Sequence, residues 1–173
     1  MRGLLDYSRP RSSVVQSCDI RELLATTIEM LTQQGAFKGV SVATTCDDQL
    51  PEAWVDPHQL QQVLINLALN SRDAMSAGGK LAVRIKADAA RQHSGLRIDV
   101  LDNGSGIPEE HRSRIFDPFF TTKQPGKGTG LGLAISARII EGFGGKITVQ
   151  SKAGVGTCFS VWLPTHTPKD TIA

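Results

Sequence analysis

Leu96-Arg97-Ile98-Asp99-Val100-Leu101-Asp102-Asn103-Gly104-Ser105-Gly106-Ile107-Pro108 reads as a half-buried strand running into a glycine turn. Leu96, Ile98 and Val100 alternate with Arg97 and Asp99, so Asp102 falls on the apolar face. An ionised carboxylate on that face is costly unless it finds donors. Two readings of Asp102 stand side by side: it caps the Asn103-Gly104 turn, or it accepts a hydrogen bond from the amino group of a ligand.

Upstream, Leu81, Val83 and Ile85 alternate with Ala82, Arg84 and Lys86, so residues 81–87 and 96–102 form a hairpin-like pair. Further strands are expected at 41–45, 53–55, 146–151 and 157–163. Asp19 caps a helix of about 15 residues with an apolar stripe of Ile20, Leu23, Leu24, Ile28 and Leu31. Asp56 caps a second helix, with Pro57 at its first position. That helix runs to about Met75 on a stripe of Leu60, Val63, Leu64, Leu67, Ala68 and Ala74, and Gly78-Gly79 ends it. Pro108-Glu109-Glu110 opens a short helix. Another starts near residues 129–131, runs to Glu141, and is apolar nearly all round, which predicts burial. Six strand candidates mixed with helices predict an α+β fold. The architecture is a two-layer α/β sandwich: a mixed sheet of about five strands, covered on one face by about three helices.

Composition narrows the function. A chain of 173 residues, 40% hydrophobic, is one domain with a short extra segment. No run approaches the roughly 18–20 apolar residues of a membrane span. A net charge of +2 without a basic stripe argues against nucleic acid. Met1-Arg2-Gly3-Leu4-Leu5 lacks the features of a signal peptide. Cys18, Cys46 and Cys158 are far apart and form no metal motif, so reduced, packed thiols in a cytoplasmic protein are expected. His58, His93, His111 and His166 lie in polar contexts and read as solvated. Residues 1–16 read as the tail of another unit plus a linker, broken at Pro10, residues 17–165 as the domain, and 166–173 as a loose tail.

Three further segments carry chemistry. Asn66 and Asn70, four apart, share a helix face with Asp73. Their amide oxygens suit Mg²⁺, although spacing alone favours a solvated polar face. Gly126-Lys127-Gly128-Thr129-Gly130-Leu131-Gly132-Leu133 alternates glycine and runs into a helix, which exposes backbone amides to an anion. It matches neither a Walker loop nor a dinucleotide-binding turn, and packing glycines are the plainer alternative. Phe116-Asp117-Pro118-Phe119-Phe120-Thr121-Thr122-Lys123 reads as an aromatic anchor for a mobile loop, with at least one Phe in the core.

In this order the segments resemble the ATP-binding catalytic domain of bacterial sensor histidine kinases, within the Bergerat-fold group that includes gyrase and mismatch-repair ATPases. Residues 62–70 resemble its N box, 102–106 its first glycine box, 116–123 its F box, 128–133 its second glycine box, and Gly154-Val155-Gly156-Thr157 its last. The resemblance covers residues 17–165. It implies transfer of the γ-phosphoryl group of ATP to a histidine, with Mg²⁺ held by Asn70 assisted by Asn66. Asp102 would accept from the adenine amino group, supported by Thr157, with Gly104, Gly106 and Ile107 against the base. Gly128, Thr129, Gly130, Leu131 and Gly132 would present amides to the phosphates. Residues 117–129 would form the lid, with Phe119, Thr122 and Lys123 in it.

The sequence departs from the family pattern in two places. Where many members carry Lys or Arg three residues after the second N-box Asn, this chain has Asp73, so Lys123 or Arg72 is expected to supply the positive charge. No histidine sits in the context of the family's phosphoacceptor. The acceptor would therefore lie in a dimerisation domain, of which residues 1–10 resemble only the end. No residue is an outright catalytic group; Asn66 and Lys123 are the candidates. Implied partners are that dimerisation domain and a response regulator, with this segment a monomer and the longer protein open to membrane tethering. Hydrolytic relatives carry Glu where Asn66 stands, and an amide is a poor general base. A serine kinase of anti-sigma-factor type and a non-catalytic nucleotide-binding module remain the alternatives.

Overall fold

The computed structural model describes residues 14–88, 94–124 and 128–165. The expectations for residues 1–13, His93, His166 and the tail fall outside them. In chain order the elements are β1 (Gln16–Cys18), α1 (Ile20–Gln33), β2 (Val40–Cys46), β3 (Ala53–Val55), α2 (Pro57–Ala74), β4 (Gly79–Asp88), β5 (Gly95–Asp102), α3 (Glu109–Arg112), α4 (Gly132–Gly142), β6 (Lys146–Lys152) and β7 (Gly156–Pro164).

Five strands form one mixed sheet in the order β2-β4-β5-β7-β6. β2 runs parallel to β4, and every other pairing is antiparallel. Leu81, Val83 and Ile85 of β4, Leu96, Ile98 and Val100 of β5, and Phe159, Val161 and Leu163 of β7 are all buried. The opposite parity (Lys80, Arg84 and Lys86 on β4) is exposed, as alternation on a one-sided sheet requires. α2 lies on β4 and β5, with α1 and α4 packed along its sides and α4 reaching β6. The predicted two-layer sandwich is thus the observed one.

The helix starts follow the side-chain caps. Asp19 accepts from the amides of Arg21 (2.8 Å) and Glu22 (3.3 Å). Asp56 accepts from those of His58 (2.9 Å) and Gln59 (3.2 Å), behind Pro57. Each cap satisfies donors that a helix end leaves open.

Two readings need correction. β1 was not expected; its three residues pair antiparallel with β3, a contact between segments far apart in the chain. α4 is not buried all round: Ala134, Ser136 and Ile140 are buried, while Leu133, Ile135 and Ile139 are half-buried. In a two-layer fold nothing covers the outer side of the helix layer, so an apolar helix there keeps one side partly wet. No helix among the described residues is long and apolar enough to cross a membrane.

Candidate functional site

A cavity of about 670 Å³ opens between α2, the segments after β5, and the loop before α4. One end is built by Asp102. Its Oδ1 accepts from the amides of Gly104 (2.9 Å) and Thr157 (3.2 Å), and among the described residues no donor reaches Oδ2. The turn-capping reading is therefore correct: one oxygen fixes the turn, and the residue also lines the cavity.

Backbone closeness shapes this end. A Cβ on Gly104 would come 2.6 Å from the Ala74 carbonyl oxygen, at the end of α2, and Ser105 donates its amide to that oxygen (2.9 Å). Gly106 has φ +68, and a Cβ there would run into the Lys152 carbonyl. Ser151 ties the turn to the β6–β7 hairpin. Its Oγ accepts from the Ile107 amide (2.8 Å), donates to Gly156 O (2.9 Å), and lies 3.0 Å from the hydroxyl of buried Thr157.

At the other end, Asn66, Asn70 and Asp73 project from one face of α2. Asn66 Nδ2 donates to Ser136 Oγ on α4 (3.0 Å), and Asn70 Nδ2 donates to Asn66 Oδ1 (3.4 Å). Asn66 thereby braces Asn70 against α4. A Cβ on Gly132, the first residue of α4, would overlap the Asn66 amide, so glycine is what lets the two helices meet here. Of the two candidate cations, Lys123 donates its Nζ to Asp73 Oδ2 (2.7 Å) and Asn70 Oδ1 (3.3 Å). Arg72 pairs with the other Asp73 oxygen (2.5 Å). Burial pushes the Asp73 carboxyl up, but the bonds from Lys123 and Arg72 outweigh it and hold the group below the usual carboxylate range.

That lysine is informative about metals. A single ammonium bonded to Asn70 Oδ1 and Asp73 Oδ2 marks a place where two hard oxygens converge on a cation. Mg²⁺ favours such ligands and keeps other positions for water and phosphate. Among the described residues no three His, Cys, Asp or Glu gather as a self-contained metal cage. Asn70 Oδ1, on the cavity wall, is a hard neutral oxygen of the kind that Mg²⁺ takes.

The loop over this end closes on itself where Phe119 donates its amide to Gly130 O (2.9 Å). Both residues have left-handed backbones, φ 67 and 66. Phe119 is 73% exposed, while Phe116 and Phe120 pack against the core. A left-handed, exposed phenylalanine is a strained choice, of the kind found at mobile or functional segments.

Of the expected residues, Asn66, Asn70, Asp73, Asp102, Gly106, Ile107, Thr122, Lys123, Gly128, Thr129, Gly130, Gly132 and Thr157 line the cavity. Gly104, Phe119 and Leu131 do not: Gly104 packs on α2, Phe119 points to solvent, and Leu131 caps α4. No local pattern points to the apolar wall of Leu69, Ile115, Leu133 and Phe159, which comes from four separate segments. His111 was expected in solvent. It is half-buried on the cavity wall, its ring 5.5 Å from that of Phe120.

Comparison with known proteins agrees with this geometry. Residues 55–167 match the family model described as histidine kinase-, DNA gyrase B-, and HSP90-like ATPase. The sensor histidine kinase ZraS of Escherichia coli (strain K12) is 38% identical over 168 residues, covering 96% of this chain and 35% of ZraS. The chain thus spans about a third of that relative's length. Among solved structures, the catalytic domain of histidine kinase ThkA superposes with a TM-score of 0.77 at 30% identity, covering 90% of this chain and 98% of that one. ThkA in complex with response regulator protein TrrA gives 0.75 at 28% identity, covering 94% and 45%.

Proposed function

Since the chain belongs to the family of histidine kinase-, DNA gyrase B- and HSP90-like ATPases, we propose that its cavity binds ATP and delivers the γ-phosphoryl group to a histidine on a separate helical domain. One observation carries this reading. One cavity has at one end a carboxylate with an oxygen that no donor among the described residues reaches, and at the other an Asn–Asp pair bonded to the Lys123 ammonium beside the start of α4.

In this reading Asp102 Oδ2 accepts from the adenine amino group, while Oδ1 keeps the turn in place. Gly106 and Ile107 pass close to the base. Asn70, oriented by Asn66, would hold Mg²⁺, which when bound offsets the charge of the phosphates. The amides of 128–132 and the Lys123 ammonium face the same oxygens, since phosphoryl transfer is mainly a matter of positioning and charge neutralisation. Lys123, now bonded to Asn70 and Asp73, would be placed to contact phosphate, and Asp73 would keep Arg72 as a partner.

The complex of ThkA with a response regulator protein supports a response regulator as downstream partner. Asn66 argues against water as acceptor: its amide is tied to Ser136 and Asn70 and is a poor base.

Calorimetric titration with a non-hydrolysable ATP analogue, with and without Mg²⁺, tests the nucleotide and metal together. Wild type should bind in both conditions and more tightly with Mg²⁺. Asn70→Ala should lose about tenfold with Mg²⁺, one charge-assisted contact, and almost nothing without it. An equal loss in both conditions would remove Asn70 from the metal.

A further inference from the structure

α3 offers the cavity one side chain. Of its four polar residues, Glu109, Glu110, His111 and Arg112, only His111 lines the cavity. The helix is held from two sides. Arg112 Nη1 donates to Ser151 O (3.5 Å), on the serine that ties the Ile107 turn to the β6–β7 hairpin. On the other side the His111 ring stands 5.5 Å from that of Phe120, tilted by 59°. The Arg114 guanidinium lies over the same Phe120 ring, 4.7 Å from its centre. A tilted ring pair and a cation over a ring are both favourable arrangements, so packing fixes where the imidazole sits.

Hydrogen bonds do not. Among the described residues the ring nitrogens of His111 have no hydrogen-bond or ion-pair partner. A neutral imidazole carries one donor and one acceptor. Half-buried on the wall beside Ile107, Pro108 and Ile115, the ring offers both to whatever fills the cavity. Polar groups set singly among apolar side chains are what orients a ligand in such a site.

The place of the ring along the wall names the ligand group it meets. His111 comes four residues after Ile107, in the turn at the Asp102 end. Phe120, on which it packs, comes three residues before Lys123, at the Asn70–Asp73 end. The imidazole thus stands between the two ends. A nucleotide with its base at Asp102 and its phosphates at Lys123 has its ribose there, and each ribose hydroxyl both donates and accepts.

We propose that His111 reads the sugar: a ring nitrogen hydrogen-bonds a ribose hydroxyl and makes the site prefer ribonucleotides. This rests on the nucleotide reading above.

The test is calorimetric titration, with Mg²⁺, of wild type, His111→Phe and His111→Ala, each with ADP and with 2′,3′-dideoxy-ADP. Wild type should prefer ADP by about 3- to 10-fold, one neutral hydrogen bond. In both variants the ratio should fall to about one, through loss of ADP affinity alone. Phenylalanine keeps the aromatic contact with Phe120, and alanine cannot crowd the wall, so the two should agree. Unchanged binding of the dideoxy nucleotide shows that each variant is folded with its cavity intact. A histidine that only packs on Phe120 would leave the ratio where wild type has it. Equal affinity of wild type for the two ligands, a ratio preserved in the variants, or an equal loss on both ligands would each overturn the proposal. Failure of wild type to bind either ligand would instead overturn the nucleotide reading, and this inference with it.

Discussion

Asp102→Asn should fold normally and lose adenine-nucleotide affinity by about 100-fold, the scale of a hydrogen bond to a charged acceptor. The two oxygens of Asp102 have different work, and asparagine separates them. Its amide oxygen can keep accepting from Gly104 and Thr157, the bonds now made by Oδ1. Its NH₂ replaces the oxygen without a partner and presents a donor to the donor amino group of adenine. Asp102→Ala is a less clean change, because it strips both amides of their acceptor and costs stability as well. Calorimetry beside urea unfolding distinguishes them: Asp102→Asn moves affinity alone, Asp102→Ala moves both. Undiminished binding by Asp102→Asn would mean that the base is read elsewhere.

Gly106→Ala is expected to be the most damaging small substitution, by about 2–5 kcal/mol. A left-handed backbone costs a side-chain-bearing residue about 1–2 kcal/mol. Overpacking adds about 1–3 kcal/mol. Here the added carbon meets backbone: the Lys152 carbonyl, with the Ala153 Cα at 3.1 Å. That hairpin cannot easily retreat, because Gly154 donates its amide to Ser105 O (2.7 Å) and Ser151 accepts from Ile107 (2.8 Å). Gly35 supplies the control. Its φ is +75, but a Cβ there meets nothing within 4 Å, so Gly35→Ala should cost only the backbone part. Urea midpoints for the two variants test the difference. Equal, small shifts would show that the turn and the hairpin are not locked together.

The parts of the fold visible in the sequence were those specified locally. α2 announces itself by a cap, a proline and an apolar stripe, and the β4–β5 pair by alternation. β1 could not be read because three residues carry no period; β3 makes it a strand. The burial of α4 was misjudged because an apolar helix does not say how many layers surround it. In the candidate site, Asn66, Asn70 and Asp73 were legible as one helix face. Lys123 was expected on charge alone, and its contact with Asp73 crosses fifty residues. Ser151 had no local signal, since a serine in a strand is unremarkable until the turn at Ile107 reaches it.

If this domain passes phosphate to histidine, the phosphorylated product carries a phosphorus–nitrogen bond. The most direct test is incubation of the chain with γ-labelled ATP, Mg²⁺ and a separately supplied dimerisation domain bearing an acceptor histidine. Label should appear on that domain in an acid-labile, base-stable form, the behaviour of a phosphorus–nitrogen bond, and none when the histidine is replaced. Acid-stable label on a serine, or label released only as free phosphate, would contradict it.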